Sequence, residues 1–246
     1  MLCTTPRLLN RLRIVAGACA ALLTVGCGGV GGAASLATPY SPRINPAEFT
    51  TAINNPYFPL VPGTRFVYDG TTTEGRERTV TEVTRETKKV MGVDTVVVHD
   101  TVTGDGRLIE DTYDWYAQDR AGNVWYFGED TRAIGAGGTV STAGSWQAGV
   151  DGALPGIVLL AHPRVGETYR QEYDPGVAED TGEVVSTTGT ASVAAGTFQE
   201  VLTTKDVNPL EGTAEHKLYA RDVGFILLRP ASGPAEHVEL AAIEKF

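Results

Sequence analysis

From Thr64 to the C-terminus the chain is a succession of runs rich in valine, threonine, tyrosine and tryptophan, broken by short glycine-bearing connections. Such side chains suit a pleated, half-buried surface, and their alternation leaves little room for a helical repeat. The runs 64–69, 79–87, 94–102, 108–118 and 123–128 predict strands. Residues 103–106 and 119–123 between them supply the glycine that tight hairpin turns need. A second set is predicted at 166–173, 182–187, 191–193, 198–206, 216–219, 224–228 and 238–243. Residues 46–54, opened by Asn45-Pro46, read as one short helix. The expected fold is all-β: a strongly curved antiparallel sheet or barrel of about ten to twelve strands, with one short N-terminal helix.

Residues 131–163 break this rhythm. They hold Gly135, Gly137, Gly138, Gly144, Gly149, Gly152 and Gly156, with Trp146 and the apolar run Ile157 to Leu160 between and after them. Long connections in small β domains tend to be functional. Trp146 and each side chain of the apolar run gain roughly 2 kcal/mol by burial, so an ordered flap across one mouth of the sheet is expected.

The first 26 residues have the make-up of an export leader. Arg7, Arg11 and Arg13 precede an apolar run from Ile14 to Val25, about a dozen residues where a membrane-spanning helix needs roughly 20. The segment Leu23-Thr24-Val25-Gly26-Cys27 resembles a bacterial lipoprotein box. Cys3 and Cys19 fall within the leader, so Cys27 is the single cysteine of the mature chain, and lipidation would remove an otherwise unpaired exported thiol. Residues 27–45, rich in Gly, Ala, Ser and Pro, have little to bury and read as a flexible tether after a lipidated Cys27. The remainder, 46–246, suits one domain. The expected location is outside the cytoplasm, anchored by lipid to the cell membrane or outer envelope.

Without the leader the chain carries 17 basic and 30 acidic residues, a formal charge of −13. That balance argues against nucleic acid, which needs clustered Lys and Arg, and against docking on anionic lipid by charge. The expected link to the membrane is therefore the lipid.

Few residues carry chemistry. Asp111, Asp114, Asp119, Glu129 and Asp130 crowd one meander, but Glu110, Thr112, Asp114 and Tyr116 share one strand face while Asp111, Tyr113, Trp115 and Ala117 share the other. The four histidines, His99, His162, His216 and His237, lack zinc-ligand spacing, and no calcium-loop pattern or nucleophile elbow occurs. No catalytic residue, metal or cofactor is expected. The aromatics Trp115, Trp125, Phe127, Trp146 and Tyr169, with Tyr113 and Tyr173 near them, offer flat apolar faces with polar edges, and so are candidates to line an apolar or carbohydrate site under the flap.

Four motifs resemble those of a family of uncharacterised bacterial secreted or lipid-anchored proteins. They are Asn55-Pro56-Tyr57-Phe58-Pro59-Leu60, Asp114 to Asp119 (DWYAQD), Gly122 to Glu129 (GNVWYFGE), and Glu215-His216-Lys217-Leu218-Tyr219-Ala220. The span Gly196 to Phe225 is also similar to the closing strands of lipoprotein-carrier-like half-barrels. The resemblance implies an envelope protein and brings no activity. The leading reading is a lipid-anchored binding module for an apolar or carbohydrate ligand. A structural envelope protein without a pocket and a hydrolase built on Asp114, Glu129 and His216 are the alternatives.

Overall fold

The structure, a computed structural model, describes residues 40–73, 75–232 and 236–246. The leader and Cys27 lie outside the described residues. One 3-10 turn, Pro46–Glu48, is followed by β1 (Phe49–Thr50), β2 (Thr64–Thr72), β3 (Gly75–Val90), β4 (Val93–Gly104), β5 (Arg107–Asp119) and β6 (Val124–Ile134). Short strands come next: β7 (Val140–Ser141), β8 (Trp146–Gln147), β9 (Leu154–Leu159), β10 (Thr168–Arg170) and β11 (Glu172–Tyr173). The chain ends with β12 (Thr181–Val193), β13 (Gly196–Asn208), β14 (Thr213–Ala220), β15 (Gly224–Ser232) and β16 (His237–Lys245).

All sixteen strands belong to one antiparallel system, with the order β10-β12-β13-β14-β15-β16-β2-β3-β4-β5-β6-β9-β11. The two ends of that order meet. β10 and β11 are one run of chain interrupted at Gln171: Thr168–Arg170 pair with β12, and Glu172–Tyr173 pair with β9. The sheet therefore curls into a nearly closed barrel, which leaves little of the exposed edge that an open sheet would present. Gly156 makes the seam close enough, because a Cβ there would run into the backbone of Gln171 and Glu172.

Three sequence expectations need correction. The strands number more than ten to twelve, because the region read as a loop contributes β7, β8 and β9, and the N-terminal segment adds β1. The helix expected over 46–54 is only the turn Pro46–Glu48; Asn45 caps it, accepting the Ala47 N–H through its side chain, and the chain then extends to pair Phe49 with Asp119. The flap expected over 131–163 is wall. β7, β8 and β9 pair successively along β6, at Ala133 and Ile134, at Gly128 and Glu129, and at Val124 to Tyr126, so residues 140–159 form one interrupted strand antiparallel to it. Gly128, at φ 125°, permits the interruption, since a Cβ there would strike the Trp146 carbonyl.

One end of the barrel is plugged. Residues 53–60 turn inward, stitched by Leu60 N–H to the Ile53 carbonyl (3.1 Å) and Phe58 N–H to the Asn55 carbonyl (3.0 Å). Phe58 enters the interior, its ring 5.7 Å from that of Tyr116 and 6.3 Å from that of Tyr219. The tip of the β12–β13 hairpin helps to cover this end, with the Ala195 N–H donating to the Leu240 carbonyl. Outside the wall, residues 40–50 form a strap. The Tyr40 hydroxyl donates to the Pro155 carbonyl (2.8 Å), and Phe49 packs edge-on to Trp125 and Phe127. The stretch expected as tether is thus already held at Tyr40.

The inner face follows from the pairing. Val98, Asp100 and Val102 of β4 stand opposite Asp114, Thr112 and Glu110 of β5, which stand opposite Glu129, Thr131 and Ala133 of β6. Near the plug the interior is aromatic: Phe58, Phe66, Tyr68, Tyr116, Tyr126, Tyr219 and Phe225 are all buried. The remainder is acidic.

Candidate functional site

The structure does not gather the five aromatic residues into one site. Trp115 points to the outer face and is nonetheless buried, because the Lys88 ammonium lies 3.2 Å from the centre of its ring. Burial there lowers the Lys88 pKa. Trp125 is half-buried outside the wall, with its indole N–H on Asp119 (2.8 Å), and Phe127 is buried beneath the strap. Trp146 packs edge-on to Tyr126 at 5.3 Å, whereas Tyr169 lies against Gly182, across the closure from β9. Trp115, Trp125 and Phe127 are wall and strap contacts, and their apolar area is spent on packing.

The aromatic space near the plug holds little. A cavity of about 30 Å³ remains among Phe58, Phe66, Tyr68, Tyr116 and Phe225, room for a water and not for a lipid chain.

A larger concavity lies on the plugged end. It measures about 610 Å³, within the range of small-molecule sites. Its floor is the plug itself: Asn54, Asn55, Pro56 and Tyr57, beside Gln118. This floor is rigid. The Gln118 side-chain carbonyl accepts from the backbone N–H groups of Asn54 (2.9 Å) and Asn55 (2.8 Å), while its amide donates to the Asn54 side chain (2.7 Å). Asn55 in turn donates to the carbonyls of Gly122 (2.9 Å) and Leu160 (3.1 Å), tying the plug to the β5–β6 turn and to the end of β9.

The rim is polar and comes from separate turns: His162 after β9, Thr187 and Thr188 of β12, Glu200 of β13, and Arg221 after β14. The Arg221 guanidinium lies 5.1 Å from the Tyr57 ring centre, and its Nε is 3.9 Å from the Glu200 carboxylate. Glu200 adopts a left-handed backbone (φ 52°), unusual for a residue other than glycine, and its carbonyl accepts the Tyr57 hydroxyl (3.3 Å). A ligand in this groove would meet amide, hydroxyl, guanidinium and carboxylate groups around a flat tyrosine and two prolines, Pro56 and Pro163.

The hydrolase constellation does not assemble. Asp114 and Glu129 face the interior, and the Tyr126 hydroxyl donates to Asp114 (2.6 Å). Asp100 lies close by, and burial, reinforced by the Asp114 charge, pushes its carboxyl well above the usual range. His216 is on the other side of the wall. It stands between the inward-facing Glu215 and Lys217, and its pKa is lowered by partial burial and by the outward cations Arg229 and Lys205. Among the described residues no group of three His, Cys, Asp or Glu side chains is placed to hold a metal ion.

Sequence reasoning missed the interior carboxylates as a group and the buried Lys217. Lys217 is 2 % exposed, with its ammonium 3.2 Å from Asp206 and 3.0 Å from Glu215. Burial would lower its pKa, but the Glu215 and Asp206 charges outweigh this and hold it protonated. The signal was the alternation Glu215, Lys217, Tyr219 against His216 and Leu218, which marks two faces without saying which is inner.

No protein-family model and no curated protein matches the sequence. Among solved structures, the chain is similar to a Bacteroides fragilis protein described as exported and as having a YmcC-like fold, at 16% identity and a TM-score of 0.45, over 77% of this chain and 99% of that one. It is also similar to a Parabacteroides distasonis protein described as a lipoprotein, at 13% identity and a TM-score of 0.39, over 76% of this chain and 98% of that one.

Proposed function

We propose that this chain is an exported binding module, held at the cell envelope by lipid on Cys27, that recognises a carbohydrate in the groove over the barrel plug. The groove is the observation that carries the reading. It has about 610 Å³ of space, and its rim groups suit an array of sugar hydroxyls. Tyr57 and the two prolines provide the flat apolar surface on which a pyranose face can stack. The apolar-ligand reading loses support, because the space among the interior aromatic rings is about 30 Å³ and the tryptophans are spent on wall and strap packing. Twelve residues lie between Cys27 and Tyr40, where the strap is fixed, enough to span roughly 40 Å when extended, so the barrel would stand clear of the membrane.

Two measurements test the two halves of the proposal. Cys27→Ala should shift the protein from the membrane fraction to the soluble fraction, and mass spectrometry of the membrane form should find a diacylglyceryl N-terminus. An unlipidated N-terminus downstream of Cys27 would defeat the anchor. For the groove, a panel of neutral and acidic oligosaccharides is titrated by calorimetry. Arg221→Ala, at an exposed rim position, should weaken any bound sugar about tenfold, the value of one charge-assisted hydrogen bond. If no sugar binds, or if binding is indifferent to Arg221, the groove is not the site.

A further inference from the structure

Among the described residues lining the groove over the plug, Arg221 is the one lysine or arginine and Glu200 the one carboxylate. Their ion pair is loose. Arg221 Nε stands 3.9 Å from the carboxylate, beyond hydrogen-bond reach, and the Glu200 side chain is 74 % exposed. By contrast, Arg65 Nε donates to Glu82 at 2.8 Å and Arg78 Nε to Asp69 at 2.8 Å. What holds the Arg221 guanidinium is the Tyr57 ring, whose centre lies 5.1 Å away, with one long contact of 3.5 Å from Nη2 to the Tyr57 hydroxyl. Most of its N–H donors are left to solvent.

The backbone that carries this arginine is nevertheless fixed. The Asp222 N–H donates to the Pro56 carbonyl (2.6 Å) and the Val223 N–H to the Ala220 carbonyl (3.2 Å), which fastens the β14–β15 turn to the plug. Glu200 and Asp222 both have left-handed backbones, φ 52° and 62°, a local cost that the surrounding contacts must hold. Tyr57 is 8 % exposed, so the upper surface of the stack is the guanidinium rather than the ring. A flat cation supported from below and open above is complementary to a planar oxyanion, which accepts two parallel N–H bonds where a neutral hydroxyl accepts one. The acidic chain as a whole repels anions at a distance, and a local cation is what an anionic ligand would need.

We propose, on the carbohydrate reading of this groove, that the sugar it takes is a hexuronic acid whose carboxylate seats on the Arg221 guanidinium. The pyranose ring is then left to Pro56 and Pro163, and its hydroxyls to the amide and hydroxyl groups of Asn54, Thr187 and Thr188. Glu200, which makes no hydrogen bond to the guanidinium, gives way to the sugar carboxylate and repels it mildly from the rim.

The test uses the full-length protein in detergent and oligomers of glucuronic, galacturonic and mannuronic acid, each compared with its methyl ester by calorimetry. The ester keeps the ring and its hydroxyls and removes the charge. At least one acid should bind about tenfold more tightly than its ester, as one charge-assisted contact gives. Glu200→Gln, which removes the competing anion, should widen that ratio about threefold, the scale of an exposed charge pair. Arg221→Lys, which keeps the charge but loses the planar fork, should narrow it about threefold. Inorganic phosphate at the concentration of the sugar should not displace the acid; displacement would make the groove a site for free oxyanions and overturn the proposal. If no sugar binds, the carbohydrate reading falls and the uronic acid with it. If acid and ester bind within about twofold of each other, or neutral oligosaccharides bind more tightly than the acids, the groove reads sugars and the uronic-acid assignment alone is overturned. It is overturned as well if both variants leave the ratio of acid to ester unchanged.

Discussion

Phe58 shows how a local motif acquires a global role. Asn55-Pro56-Tyr57-Phe58-Pro59-Leu60 is conspicuous in the sequence, yet nothing in six residues of loop says that the phenylalanine enters a barrel between Tyr116 and Tyr219. Two prolines limit the backbone, Asn55 fastens it, and the ring fills space that would otherwise be void. Phe58→Ala should therefore cost about 3–5 kcal/mol. For a domain of this size that lowers Tm by roughly 10 °C. Val61→Ala, three residues on and 53 % exposed, should stay within about 0.5 kcal/mol. Calorimetric unfolding of the two variants decides the matter, and a Phe58→Ala protein as stable as the parent would mean that the plug does not seal the barrel. Lys217 failed to stand out for a related reason. Alternation separates two faces, but in a closed barrel with a polar interior the charged face is inside, the reverse of what a half-solvated sheet would suggest.

At the scale of elements, long strands were legible and short ones were not. The pattern over 79–87 and 108–118 is dense in β-branched and aromatic residues, and the strands found there, β3 and β5, only extend those bounds. Residues 140–159 pair as pieces of two, two and six residues separated by glycine-bearing turns, which leaves no alternation to read. Trp146, Val158 and Leu159 are buried. The burial comes from membership of the wall, fixed by β6 on one side and the seam strand β11 on the other. Amide exchange distinguishes wall from lid. The amides of Ile157 and Leu159 should exchange as slowly as those of Val124 to Tyr126, whereas residues 135–139 in the β6–β7 turn should exchange quickly. Fast exchange across 154–159 would restore the movable cover.

For the whole molecule, the interior charge sets how stability responds to pH. Burial and the neighbouring charges of Glu215 and Glu77 push the Glu236 carboxyl up to about 7, and burial also raises Glu215. Asp100 is raised by burial and by Asp114. A carboxyl whose pKa is higher in the folded than in the unfolded chain binds its proton more tightly when folded. Its stabilising effect is complete below the unfolded pKa and disappears as pH rises through the folded one. The barrel should thus gain stability on acidification through the window from pH 8 to 5.5, where a protein dominated by paired surface carboxylates would hold level or lose it. For Glu236 alone the gain is about 2 kcal/mol over that window, or roughly 4–8 °C in Tm. The groups facing it are Glu77 of β3, Glu215 and Lys217 of β14, and Glu211 of the turn between β13 and β14, so their titration is coupled to its own. Glu236→Gln should flatten the profile between pH 6 and 8 and leave the acidic plateau nearly unchanged. Thermal unfolding of the parent and of Glu236→Gln at a series of pH values measures both effects; a parent Tm that falls steadily from pH 8 to 5.5 would show that the raised Glu236 carboxyl does not govern the acid response.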